Sequence, residues 1–189
     1  MDAKYYIGLD ETYGAHNYHP LPVVISKAKG VWVWDVEGKK YIDMLSSYSA
    51  INQGHLHPRI VKAAKYQMDK VTLTSRAFCN DRMGPFLKKL CEVTGMDVAL
   101  PMNTGAEAVE TSIKVARRWA HETKGLREDE GEIIVMENNF HGRTTTIISF
   151  SSEPEYRDGF GPFTPGFRSA RFGDLAAMEA ALTKDTVAV

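Results

Sequence analysis

One stretch of the sequence constrains the fold more than any other. It opens with the apolar run Val98–Leu100, which predicts the end of a buried strand. A long amphipathic segment follows, in which Thr104 and Glu107 have the spacing of a capping box, and it predicts a helix over residues 104–124. A second short buried strand is predicted at residues 132–137, around the apolar run at 133–136. Strand, helix and strand in this order form a βαβ pattern, so we expect an α/β fold with a mainly parallel sheet and flanking helices.

The start of this helix has the features of an anion-binding site. Gly105 and Ala106 leave the amide groups of the first helical turn uncovered. Uncovered amides and the helix dipole together favour a phosphate group. A well-capped helix that binds no ligand has the same pattern, so these residues alone leave both interpretations open.

A second motif, residues 138–144, directly follows the strand predicted at residues 132–137. In open α/β sheets, loops at the carboxyl ends of strands hold ligands. Phe140 can stack on a flat cofactor, and the guanidinium of Arg143 can hold a carboxylate through two hydrogen bonds. The alternative is a turn with a half-buried phenylalanine and a surface arginine. Because the helix start at residue 104 also follows a strand, we expect both segments to lie at the same edge of the sheet.

The remaining elements are predicted from apolar periodicity and turn residues. The first twenty residues show little periodicity, and residues 46–54 read as a loop of small polar side chains. We expect strands at 23–26, 31–34 and 40–43 in an antiparallel meander, helices from Pro58 and over 82–94, a strand at 145–150, a helix capped by Asp174, and a strand at 186–189.

Composition excludes several classes of function. The chain has 189 residues, is 43% hydrophobic and carries a net charge of −1, so it can bury a core of one or two domains and presents no basic surface for nucleic acid. No apolar stretch is long enough to cross a membrane, and residues 1–6 show neither an apolar h-region nor an Arg-rich amphipathic pattern, so we expect no targeting leader. Cys79 and Cys91 are expected to be reduced thiols, which favours a cytoplasmic protein.

The loop histidines do not predict a metal site. His16, His19, His55 and His57 lack an accompanying set of cysteines or carboxylates, so we expect no metal ion. The sequence also lacks the motifs of serine hydrolases, P-loop proteins and dinucleotide-binding proteins.

Four segments together carry a resemblance to a known family: Tyr13–Pro22, Ser46–Pro58, Met102–Arg118 and Asn138–Thr144. They are similar to segments of the class III aminotransferases, which use pyridoxal 5'-phosphate. The first two segments most resemble the members of that family that act on ornithine. The resemblance extends over nearly the whole chain.

The resemblance implies the type I pyridoxal-phosphate transferase fold. An N-terminal antiparallel meander would then be followed by the first part of the large-domain sheet. Residues 1–58 would belong to the small domain and residues 59–189 to the first part of the large, cofactor-binding domain. Such enzymes place two active sites at a subunit interface, so a homodimer is implied.

Roles for individual residues follow from the same resemblance. Gly105 and Ala106 would bind the cofactor phosphate, Phe140 would stack on the pyridine ring, and His141 would flank that ring. Arg143 would hold the α-carboxylate of ornithine, while Tyr18 and Tyr48 would orient the substrate so that its δ-amine meets the cofactor.

The chain departs from the family in one respect. The family's cofactor-binding lysine, and the acidic residue that pairs with the pyridine nitrogen, lie in the second half of those enzymes, and no lysine here matches that site. No catalytic residue is therefore assigned in this chain, and the isolated chain is expected to be inactive. Since residues 186–189 predict the start of a core strand, we expect the chain to be part of a longer protein or the first half of a split one, with a C-terminal half missing.

The implied reaction moves the δ-amino group of ornithine to 2-oxoglutarate, giving glutamate-5-semialdehyde and glutamate, in arginine and proline metabolism. Two alternatives stay open. One is an aminotransferase for acetylornithine or another ω-amino acid. The other is a non-catalytic subunit or remnant that binds a partner.

Overall fold

The helices and strands fall into two compact units in the computed structural model, which describes all residues from Met1 to Val189. The first unit comprises Met1–Gly84 and the second Pro85–Val189. The domain assignment made from the resemblance, with a boundary after residue 58, stays a prediction.

The first unit is built around an antiparallel meander. Its strand order is β1-β2-β3, as the sequence predicts. Strand β1 lies slightly later than expected, because Gly30 has a φ of 59° and makes a tight turn that lets Lys29 pair with Trp32. The elements of the unit are α1 (Ala3–Tyr13), β1 (Ile25–Lys29), β2 (Trp32–Asp35), β3 (Lys40–Ile42), the short turn α2 (Ser46–Ser49) and α3 (Pro58–Met68).

Helix α1 was not anticipated from the sequence. Its start is capped by Asp2, whose carboxylate accepts a hydrogen bond from the amide of Tyr5 at 3.0 Å. No residue of the helix is buried, so its sequence carries no apolar stripe that could signal a helix.

The second unit contains a parallel sheet with strand order β5-β4-β6. The predicted capping box of α5 is present: Thr104 Oγ1 accepts from the amide of Glu107 at 3.1 Å, and Glu107 Oε2 accepts from the amide of Thr104 at 2.9 Å. The elements are α4 (Met83–Thr94, which begins just before the unit), α5 (Gly105–Glu122), β4 (Glu132–Met136), α6 (Thr145–Ile148), a 3₁₀ turn (Pro154–Tyr156), β5 (Phe167–Ala170), α7 (Leu175–Ala181) and β6 (Thr186–Ala188).

Strand β4 lies at the centre of this sheet and is buried on both faces. Ile133 and Val135 pack into one core cluster with residues of α5 and α6, including Ile113. Ile134 points to the other face and packs against Ala181 of α7. Because successive side chains of a strand point to opposite faces, a strand with helices on both sides is apolar on both faces, and this explains the continuous apolar run at residues 133–136.

The predicted strand at 98–100 is wrong. Val98, Ala99 and Leu100 have no strand partner. Val98 and Leu100 line an apolar groove with Val115 and Trp119 of α5. A strand exists only where a neighbour accepts its backbone hydrogen bonds, and three apolar residues carry no information about that neighbour.

The predicted strand at 145–150 is also wrong, because this segment contains the short helix α6. Thr144 caps the helix and accepts from the amide of Ile147 at 3.3 Å. The threonines and isoleucines favour a strand by propensity, but the cap and the burial of Ile147 and Ile148 stabilise a helical turn. Strand β5, which includes Arg168, was not anticipated because it has no long apolar run.

Asp35 stabilises the turn between β2 and β3. Its buried carboxylate accepts hydrogen bonds from the amides of Glu37 and Lys39, at 3.1 and 2.8 Å, and from the hydroxyl of Tyr41 at 2.7 Å. The bond from Tyr41, followed by the two backbone bonds, lowers the pKa of Asp35 below its ordinary value of 3.8. The folded protein therefore favours the ionised carboxylate.

We expect Asp35→Asn to lower the Tm at neutral pH, and the difference from the wild type to shrink as the solution is acidified. Because the folded pKa is depressed, this stabilisation is complete above 3.8 and is lost as the pH falls through the folded value. Thermal unfolding followed by circular dichroism from neutral pH to about pH 2.5 measures it. Asp97→Asn, at an exposed side chain without a hydrogen bond, is the control; a Tm difference for Asp35→Asn that stays constant with pH would contradict the assignment.

Candidate functional site

The start of α5 and the loop at residues 138–144, called here the 138–144 loop, lie against each other. A Cβ atom built on Gly142 would lie 2.8 Å from the Cβ of Ala106, so the loop backbone passes directly over the first turn of α5. One turn further along, the hydroxyl of Thr144 donates a hydrogen bond of 2.5 Å to the carboxylate of Glu110. The sequence pattern led us to expect this proximity, and the two segments do meet.

The first turn of α5 presents two unused amide donors. The capping box engages the amides of Thr104 and Glu107, whereas those of Gly105 and Ala106 make no hydrogen bond within the chain. Apart from its chain neighbours and the backbone of its own helix, no atom lies within 4 Å of the position that a Cβ of Gly105 would occupy. Two adjacent N–H groups at the positive end of an 18-residue helix are suited to a phosphate.

The 138–144 loop is anchored where it leaves strand β4. The amide of Asn138 donates to the hydroxyl of Ser152 at 2.7 Å. The side-chain amide of Asn139 donates to the carbonyls of Met136 and Phe150, at 2.6 and 3.3 Å. These bonds hold Asn138 and Asn139, while the side chain of Phe140 is 64% exposed and can contact a ligand.

Aromatic rings surround the guanidinium of Arg143. Its central carbon lies 4.9 Å from the ring centre of Tyr156 and 5.8 Å from that of Phe140, and these two rings meet edge to face at 6.1 Å. His141 contacts the buried ring of Phe150 in the same manner, at 6.0 Å. Cation–π contacts of this kind orient the guanidinium, and a guanidinium is a suitable partner for a carboxylate.

Tyr156 was missed by the sequence reasoning. It lies in the 3₁₀ turn Pro154–Tyr156 and reaches Arg143 from a position well separated along the chain. Pro154 at the start of a short turn was the only available signal, and a proline predicts a turn without indicating which side chain the turn presents.

The second unit thus brings together Gly105, Ala106, Phe140, His141 and Arg143. Unused amides suit a phosphate, an exposed phenyl ring suits a flat ring, and a guanidinium suits a carboxylate. This set of groups fits pyridoxal phosphate together with an amino-acid substrate. The assignment of each residue to its role stays a prediction.

Tyr18 and Tyr48 belong to the first unit, and their position relative to the other site residues stays a prediction. Their side chains are 61% and 85% exposed. Tyr48 lies in α2, where all four residues of Ser46–Ser49 have φ between 49° and 69°. This left-handed conformation costs about 1–2 kcal/mol per residue, so other contacts must hold the turn in place.

The structure shows neither a metal-binding cluster nor a membrane-spanning helix. No group of three or more His, Cys, Asp and Glu side chains is arranged to hold a metal ion. None of the helices combines the length and the apolar character that a membrane span requires.

We expect Gly142→Ala to weaken pyridoxal phosphate binding by the whole enzyme that contains this chain, and to lower its stability by about 1–3 kcal/mol. The φ of 120° is unfavourable for alanine, and the added methyl would push the loop away from Ala106. Gly159→Ala is the matched control, because Gly159 also has a positive φ, 82°, but open space around its Cβ position. Equilibrium titration with the cofactor and denaturant unfolding measure the two effects.

An equal loss of cofactor affinity in Gly142→Ala and Gly159→Ala would contradict this prediction. The loss would then follow from general destabilisation and not from the contact between the loop and α5.

Comparison with known proteins gives a consistent result. Residues 13–188 match the family model for aminotransferase class III. The ornithine aminotransferase of Brevibacillus brevis is 65% identical over 178 residues, which cover 94% of this chain and 45% of that protein. The chain therefore spans less than half the length of this curated relative.

Solved structures agree with this result. The ornithine aminotransferase of Toxoplasma gondii, crystallised in the presence of oxidised glutathione, superposes with a TM-score of 0.96 at 44% identity, over 98% of this chain and 44% of that one. The acetylornithine aminotransferase of Elizabethkingia anophelis superposes with a TM-score of 0.83 at 54% identity, over 98% and 45% of the two chains. The type I fold expected from the sequence is thereby confirmed, and the chain belongs to the class III aminotransferase family.

Proposed function

We propose that this chain is the N-terminal part of a pyridoxal-phosphate-dependent ornithine aminotransferase, which moves the δ-amino group of ornithine to 2-oxoglutarate. The observation that carries the proposal is the meeting of the unused amides of Gly105 and Ala106 with a loop that presents Phe140 and Arg143. The names of the relatives support the choice of substrate.

Each group of the chain has a binding or orienting role in this proposal. The amides of Gly105 and Ala106 hold the phosphate of the cofactor, and Phe140 and His141 confine its ring. When bound, pyridoxal phosphate withdraws electrons from the carbon that carries the reacting nitrogen. The chain's contribution is to fix the ring with respect to the substrate, which reduces the entropic cost of bringing the reacting atoms together.

Arg143 determines which end of the substrate reacts. A guanidinium that holds the α-carboxylate keeps the α-amine near itself, so the distant δ-amine is the group presented to the cofactor. Tyr18 and Tyr48 then fill the space around the substrate and exclude the opposite orientation. No proton transfer is assigned to a residue of this chain. We propose that the cofactor-binding lysine lies in the part of the enzyme that corresponds to the unmatched half of the relatives.

The assembled enzyme is proposed to be a cytoplasmic homodimer that contributes to arginine and proline metabolism, and these proposals rest on the family alone. A second candidate substrate is acetylornithine. It is favoured by the 54% identity with the Elizabethkingia anophelis protein, which bears that name. The two substrates differ by an acetyl group on the α-nitrogen, so a comparison of kcat/KM values separates them.

We expect Arg143→Ala to reduce kcat/KM for ornithine by a factor that corresponds to about 2–5 kcal/mol, because the substrate carboxylate would lose its charged partner. Steady-state kinetics of the whole enzyme measures this change. Arg143→Lys is the control, since it keeps the charge and loses the paired geometry, and it should give an intermediate value. Wild-type activity with acetylornithine but not with ornithine would overturn the proposed substrate.

Tyr48→Ile should change the preference among substrates more than the total activity. The loss of the phenol enlarges the space near the α-amine, so kcat/KM should shift from ornithine toward acetylornithine and 4-aminobutyrate. The ratio of kcat/KM values for the three substrates is the measurement. An unchanged ratio would mean that Tyr48 has no part in substrate selection.

A further inference from the structure

We propose that Asp43 and His55 form a positioning pair that fixes the loop carrying Tyr48 and thereby sets the enzyme's preference for ornithine. Residues 44–54 form this loop, the Tyr48 loop. The inference rests on the proposed function, in which Tyr48 contacts the substrate. It adds two residues that act through Tyr48 and to which the sequence analysis gave no role.

Asp43 holds both ends of the Tyr48 loop with one carboxylate. Its Oδ1 accepts hydrogen bonds from the amides of Leu45 and Ser46, at 3.0 and 2.9 Å, where the loop begins. Its Oδ2 lies 2.7 Å from Nε2 of His55, directly after the loop ends. The two side chains are only 17% and 20% exposed, so water competes weakly for these contacts.

The backbone bond from Ser46 is the main cause that lowers the pKa of Asp43, followed by the bond to His55. The carboxylate is therefore ionised at neutral pH, and an ionised acceptor makes the stronger hydrogen bond to a backbone amide.

His55 attaches the end of the loop to the sheet of the first unit. Its amide and carbonyl form a pair of hydrogen bonds with Gly30, at 2.8 and 2.9 Å, in the turn between β1 and β2. A Cβ on Gly54 would approach the backbone of Gly30 to 3.2 Å, so the chains are in close contact here. Asp43 directly follows β3, and both ends of the loop are thus tied to the meander.

The position of Tyr48 depends on this closure. Its side chain makes no hydrogen bond or ring contact within the chain and is 85% exposed, so no side-chain contact within this chain places it. What places it is the left-handed turn Ser46–Ser49, which begins at the residue whose amide Asp43 binds. A side chain directed by its backbone alone moves whenever the ends of its loop move.

The chain offers a matched control in Asp35. This carboxylate also accepts two backbone amides and one side-chain donor, in the same sheet, but it closes the turn between β2 and β3 and not the Tyr48 loop. Asp35→Asn should therefore destabilise the first unit much as Asp43→Asn does and leave the choice of substrate unchanged.

The test is made on the whole enzyme with Asp43→Asn, Asp35→Asn, Tyr48→Ile and the double variant Asp43→Asn/Tyr48→Ile. We expect Asp43→Asn to shift the ratio of kcat/KM for ornithine over 4-aminobutyrate by at least about fivefold toward 4-aminobutyrate. The double variant should show the ratio of Tyr48→Ile alone, because Asp43 acts through Tyr48. Amide hydrogen exchange should speed up in residues 44–54 of Asp43→Asn and not of Asp35→Asn.

Three results would overturn the inference. In the first, Asp43→Asn keeps the wild-type ratio while Tyr48→Ile changes it, and the proposed function survives. In the second, Asp35→Asn shifts the ratio as far as Asp43→Asn, which would make the effect one of general destabilisation. In the third, Tyr48→Ile itself leaves the ratio unchanged. The activity of the wild-type enzyme with ornithine is a separate test of the proposed function.

His55→Ala provides a second route should Asp43→Asn fail to fold. It removes the side-chain contact with Oδ2 and leaves the bonds from Leu45 and Ser46 in place. The shift in ratio should then be smaller and in the same direction, and a wild-type ratio in this variant would overturn the inference.

Discussion

The packing of helix α5 on strand β4 is the constraint on which the second unit depends. Ile113 of the helix and Ile133 and Val135 of the strand belong to one buried cluster, which fixes the distance between the two elements. The helix begins, and the strand ends, next to each other, so the amides of the first turn and the 138–144 loop must meet. The position of the candidate site therefore follows from the core and not from the loop's own preferences.

The same core explains why a loop can present Phe140 and Arg143 in defined positions. One end of the loop is continuous with the central strand, and Asn139 binds carbonyls on two sides of it. The other end becomes the N-cap of α6 at Thr144, which Glu110 of α5 also contacts. The exposed side chains thus stand on a backbone that is held at several points, as a binding site requires.

The sequence predicted the features that depend on local chemistry. The capping box at Thr104, the meander, the central strand and the helix after Asp174 can be identified from residue types at fixed spacings. It failed where an element depends on a distant partner, as at residues 98–100, which lack a neighbouring strand, and at residues 145–150, where a cap outweighed propensity. In the site, the contacts of Tyr156 and Glu110 join residues far apart in the sequence, so no spacing could indicate them.

The exposure of Tyr48 has a consequence for how such an enzyme can evolve. A side chain that supports no core can be exchanged with little cost in stability, so selection can sample many residues at this position while the fold stays intact. Where Tyr48 contacts the substrate, as proposed, new substrate preferences would then be reached by single mutational steps. The carboxylate that closes the loop has no such freedom, because several of its partners would lose their hydrogen bonds together. Within one short segment, Tyr48 can therefore be exchanged, whereas Asp43 is needed to keep the loop closed.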